Sequence, residues 1–124
     1  MKTHEIPRTE WAAFFDGFSR RHEGRLITLE VFGEEIGDQI EERELALEGA
    51  TAEVSDAGDK IEIMIGIKSD DHITHTITRP NQVSLEQADD GADLVLAVKA
   101  SDGTMTLLRL RSAMQPEVVD AVAI

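Results

Sequence analysis

A chain of 124 residues with 25 acidic against 12 basic side chains, net charge -13, is the size of one domain and repels phosphate, which disfavours nucleic acid and anionic membranes as partners. It has no cysteine, so disulfides, iron–sulfur clusters, thiolate zinc sites and thiol nucleophiles are excluded. At 41% hydrophobic and 30% charged residues it reads as an ordinary soluble globular chain; the polar opening is no signal peptide and no apolar run approaches a membrane span, so the cytoplasm is the expected compartment.

In chain order, residues 1–8 are expected to be a loose lead-in, and residues 9–22 a helix. Thr9 is suited to cap it, and Glu10 in the first turn suits the helix dipole. Trp11, Phe14, Phe15 and Phe18 fall at i, i+3, i+4 and i+7, an aromatic stripe for docking onto a sheet. Ser19-Arg20-Arg21-His22 closes the helix with cations near its negative end, and Gly24 stops it.

Arg25 to Phe32 carries apolar residues on both faces, as a central strand would. Gly33 to Glu42 is expected as a connection, with Ile36 and Ile40 on one helical turn. Arg43 to Val54 is extended but changes parity: Leu45 and Leu47 share one phase, Ala50, Ala52 and Val54 the other, and Gly49 marks the switch. Lys60 to Ile67 alternates cleanly, with Ile61, Ile63, Ile65 and Ile67 on one face. Ile73, His75 and Ile77 share the next inward face. Arg79-Pro80-Asn81 is a turn, and Val83 and Leu85 mark a short strand.

Ala92 to Arg111 reads as a hairpin around which the rest is organised. A two-residue Asp102-Gly103 turn would set Leu96 and Leu94 opposite arginines. A three-residue Ser101–Gly103 loop, with Gly103 left-handed, instead pairs Val98 with Thr106, Leu96 with Leu108 and Leu94 with Leu110. The second register is chosen; it sets Asp93 opposite Arg111, as an ion pair, and Ala97 opposite Leu107. Val95, Ala97, Met105 and Leu107 then stand among charges on a second, half-apolar face, the candidate interaction face. Beyond it, Pro116 starts a short helix over 116–122, with Val118, Val119 and Val122 on its apolar side.

The expected fold is therefore α+β over 1–124: an antiparallel β-meander of about six to seven strands across 25–112, curved into a roll or partial barrel. The N-terminal amphipathic helix packs on it, and a short helix follows.

No chemical motif rises above this background. His72 and His75, beside Asp70 and Asp71, are the nearest approach to a metal cluster. On a strand, i and i+3 point to opposite faces, so no metal site is read there. No EF-hand spacing, nucleophile elbow or phosphate-binding glycine loop is found, and no catalytic residue or cofactor is assigned. Two readings of function follow. The first is a non-enzymatic domain acting as a homodimer or on a protein partner. The second is a small-ligand-binding roll or barrel with a pocket near His75 and Arg79.

The opening Ile6-Pro7-Arg8-Thr9-Glu10-Trp11, with His22-Glu23-Gly24, Leu47-Glu48-Gly49, His75-Thr76-Ile77, Asp102-Gly103-Thr104 and Leu108-Arg109-Leu110-Arg111, resembles a family of short bacterial proteins known only as a domain of unknown function. The resemblance covers nearly the whole chain and implies a stand-alone bacterial domain, with no activity, cofactor or site attached.

Overall fold

The computed structural model describes residues 1–33, 37–66 and 72–111. Strand β1 spans Lys2–Ile6; a 3-10 turn over Arg8–Glu10 leads into helix α1, Trp11–His22. The remaining strands are β2 (Leu26–Gly33), β3 (Gly37–Glu53), β4 (Lys60–Ile65), β5 (Ile73–Thr78), β6 (Pro80–Gln87), β7 (Asp93–Ala100) and β8 (Met105–Leu110). They form one eight-stranded sheet in the order β1-β6-β7-β8-β2-β3-β4-β5, with every neighbouring pair antiparallel. The α+β meander is as expected, slightly larger, and not closed into a barrel. The expected helix at 116–122 lies outside the described residues, as do Ile36 and Ile67. Among the described residues no helix is long and apolar enough to cross a membrane.

The hairpin register is the one argued from the sequence. Val98 faces Thr106, Leu96 faces Leu108 and Ala97 faces Leu107. Gly103 has φ +92, and its N–H bonds the carbonyl of Ala100 at 3.0 Å. A side chain there strains the backbone, so Gly103→Ala is expected to cost about 1 kcal/mol in urea unfolding.

The β6–β7 ladder corrects the Asp93–Arg111 pairing. Glu86 faces Val95 but Gln87 faces Asp93, so Leu94 bulges out and the alternation reverses. Asp93 turns inward and is buried, while Arg111 reaches Glu44 at 3.3 Å.

The lead-in is likewise a strand. β1 is an edge strand paired with β6, from Lys2 opposite Gln87 to Ile6 opposite Val83. It is polar because an edge strand exposes nearly all its side chains. Thr9 does not cap α1: it lies within the 3-10 turn, and Glu10 takes the N-cap position without a side-chain bond. The expected connection from Gly33 is partly strand too, since β3 begins at Gly37 and pairs with β2. Register shifts interrupt that ladder, as bulges do, so no alternation could reveal it. The parity switch at Gly49 is real, a further register shift between Leu47 and Gly49.

β5 and β6 stand far apart in the sheet order yet only Arg79 separates them. The sheet therefore curls, and Arg79 makes the corner with φ +53. Its N–H bonds the Asp59 carbonyl, and its own carbonyl accepts from the backbone N–H and Oγ of Ser101. Inside the curl, Trp11, Phe15 and Phe18 of α1 join Ile61, Ile63 and Ile65 of β4 and Leu96, Val98 and Leu108 of the hairpin in one buried cluster. The aromatic stripe docks as its spacing requires.

Candidate functional site

The most developed polar cluster is where the C-terminus of α1 meets the β7 bulge. Trp11, Phe15, Phe18 and His22 recur at helical spacing and all are buried. His22 is thus carried into the interior by the aromatic stripe itself. Its Nε2 lies 2.7 Å from Oδ2 of Asp93, with the two side chains only 7% and 6% exposed. On the other side of the ring, Arg25 Nη1 is 2.9 Å from His22 Nδ1. A guanidinium can only donate, so Nδ1 accepts and the imidazole proton sits on Nε2, donated to Asp93. Asp93 also accepts from Arg21 at 3.0 Å and from Gln87 at 2.8 Å. The Phe18 ring meets the imidazole edge-on, with centroids 4.7 Å apart.

Burial pushes the His22 pKa down, and the neighbouring guanidinium groups of Arg25 and Arg21 add to this, outweighing Asp93. Burial pushes the Asp93 carboxyl up, but hydrogen bonds from Gln87, His22 and Arg21 together hold it below its usual value. A histidine–carboxylate pair is half of a proton-transfer site. Here both ring nitrogens are already engaged, and the arrangement joins α1, β6 and β7.

The opening motif is likewise explained by contacts. Ile6 packs against the core, and the Trp11 indole N–H donates to its carbonyl at 2.8 Å. Pro7 has φ -62 at the head of the 3-10 turn, and the Glu10 N–H bonds its carbonyl. Arg8 donates to both carboxylate oxygens of Asp59, at 2.6 and 2.9 Å, and so ties the N-terminal segment to the turn before β4.

His75 lies half-buried on β5, opposite Ile63. Arg79 is exposed at the corner, where its positive φ breaks the alternation that would have kept it on the face of His75. It lines an open depression of about 630 Å³ with Ser55, Asp59 and Lys60; His75 does not line it. His72 instead bonds Glu48, Nε2 to Oε1, at 2.5 Å. No group of three metal-ligating side chains gathers among the described residues.

A second groove, about 620 Å³, runs between α1 and β3, lined by Ala12, Ala13, Ser19, Ala50 and Met64. Beyond Leu47, β3 has lost β2 as a neighbour, and Ser19 Oγ takes its place. The hydroxyl accepts from the Ala50 N–H at 2.8 Å and donates to the Ala50 carbonyl at 2.9 Å.

On the opposite side of the sheet, Val95, Ala97, Met105 and Leu107 are all half-exposed. Ala97 sits directly across from Leu107, and Lys99 from Met105, so the four form a strip across β7 and β8. The ion pair of Arg109 with Glu30, at 2.7 Å, borders it.

A family model described as "Family of unknown function (DUF5335)" matches residues 2–119. The chain is similar to an "Uncharacterized protein" of Aquifex aeolicus (strain VF5), 32% identical over 114 residues that cover 92% of this chain and 96% of that one. No solved structure matches.

Proposed function

The chain belongs to this family of unknown function, DUF5335, and since membership brings no chemistry with it, we propose from the geometry that the protein is a non-enzymatic self-association domain. The observation that carries this is the open sheet. In a chain of net charge -13, it leaves an outer strip of Val95, Ala97, Met105 and Leu107 half-exposed, and it ends in strands with one side unpaired among the described residues. The complete engagement of His22 supports the same reading, because the most buried titratable pair serves to hold elements together.

Light scattering at low and high salt tests it. The expected mass is twice the 13.7 kDa of one chain at both, because an apolar or backbone-mediated contact is not screened. A mass of one chain at every concentration and salt would sink the proposal.

A further inference from the structure

The two ends of the sheet are built differently. β1 carries Lys2, His4 and Glu5. Charges of this kind are a usual protection for an edge, whose unpaired N–H and C=O groups invite another strand. β5, Ile73-Thr74-His75-Thr76-Ile77-Thr78, carries no Asp, Glu, Lys, Arg, Pro or Gly. It pairs with β4 from Ile65 opposite Ile73 to Lys60 opposite Thr78 without a register shift. In so acidic a chain, it is a place where two copies approach without facing carboxylates.

Which backbone groups face outward follows from the ladder. The Ala50 N–H and C=O point to Ser19, away from β4, so Ala50 and Ile63 are a non-hydrogen-bonded pair. Ile63 must then direct its own groups at His75. By alternation, Ile73, His75 and Ile77 bond β4, while Thr74 and Thr76 direct their backbone groups off the sheet.

The sequence from Ile73 to Ile77 is a palindrome centred on His75. We propose that β5 pairs antiparallel with β5 of a second copy about a two-fold axis at His75, joining the two sheets edge to edge. This rests on the self-association reading and names its surface and partner. A strand paired with itself about its centre sets like against like. Ile73 meets Ile77 of the second copy, Thr74 meets its Thr76, and His75 meets its His75. Thr74 and Thr76, with outward backbone groups, exchange both N–H···O=C bonds with the copy. His75, bonded to β4, falls at the non-hydrogen-bonded position that an antiparallel ladder requires between them. The faces agree as well: half-buried Ile73 and buried Ile77 meet on the core side, and exposed Thr74 and Thr76 meet on the outside. The contact is isologous and closes as a dimer.

Because the chain lacks cysteine, a single introduced thiol reports the register. In His75→Cys the two thiols face each other at the non-hydrogen-bonded spacing of about 4.5 Å between Cα atoms, within disulfide reach. Mild oxidation is expected to give a covalent dimer at least about a hundredfold faster than in Thr78→Cys, because paired thiols see a millimolar effective concentration. Thr76→Pro removes an outward N–H and leaves the β4 ladder intact. It is expected to halve the light-scattering mass while the circular dichroism of the fold is kept. A native monomer overturns both this pairing and the self-association reading. A native dimer that resists Thr76→Pro, is split by Leu107→Lys and does not cross-link through position 75 overturns the pairing alone and moves the contact to the outer strip.

Discussion

Asp93→Ala is expected to lower stability by about 3 kcal/mol, the cost of leaving a buried partner group without its counter-charge. The carboxylate receives Nε2–H of His22, Nη2 of Arg21 and Nε2 of Gln87, and the variant leaves all three donors unmatched at the junction of α1, β6 and β7. Urea unfolding monitored through Trp11, itself buried at the start of α1, reads the change. The same cluster sets the response to acid. The folded-state pKa of His22 lies below its ordinary value of 6.5, so the unfolded chain binds the proton more readily. Its contribution is complete above that value and is lost as pH falls from about 6.5 toward the folded pKa. The folded-state pKa of Asp93 also lies below its usual value, so its contribution is lost in a second, more acidic stage, below about 4. Stability should therefore fall in two steps on the acid side. An exposed histidine gaining a carboxylate would be stabilised by acid over the first step, the opposite sign. His22→Gln can donate to Asp93 without titrating, and it is expected to flatten the slope that sets in below pH 6.5 while keeping the one below about 4. A variant with an unchanged first slope would show that another group titrates there.

Phe18→Ala is expected to be the most damaging single truncation, about 3–5 kcal/mol. Phe18 is fully buried, stacks with Phe14 at 5.7 Å and meets His22 edge-on. Its loss opens a void in the centre of the curl and removes the surface that sets the plane of the imidazole. Domains of this size are stable by only about 5–15 kcal/mol, so the variant should populate unfolded chain near physiological temperature. Because Phe18 and Asp93 hold the same ring from two sides, the double variant should cost less than the sum of the single ones. Strict additivity in that cycle would mean the aromatic contact and the hydrogen bonds act independently.

Much of this architecture is legible in the residues, and the illegible parts share a cause. The hairpin was readable because Leu96, Val98, Leu108 and the loop glycine all favour one register. β4 was readable because Ile61, Ile63 and Ile65 leave no alternative face. What escaped were places where a bulge or an edge removes the alternation: β1, the first half of β3, and Asp93, which Leu94 rotates into the core. The polar cluster was missed on both sides. His22 reads in the sequence as one of the cations closing α1, yet it follows Phe18 by four residues, on the line through Trp11 and Phe15, and that spacing is the signal of a buried imidazole. Its partner lies 71 residues away, and a lone Asp before Leu-Val-Leu gives no sign of which histidine it meets. The left-handed corner at Arg79 cancels the periodicity that placed it beside His75.

The pairing of β1 with β6 has a consequence for synthesis. The first strand of the chain finds its neighbour only in the segment that begins at Pro80, and although Ser19 ties the helix behind it to β3 at Ala50, its His22 is fastened only when Asp93 has been made. A ribosome delivers the N-terminus first, so Trp11, Phe15 and Phe18 leave the exit tunnel long before the surface that covers them. The earlier hairpins from β2 to β5 join close neighbours and can assemble as they emerge. Closure of the whole is a late event: the aromatic helix can meet β3 and β4 early, but the part of its surface that β6 and β7 cover stays open on the growing chain, where a chaperone would bind.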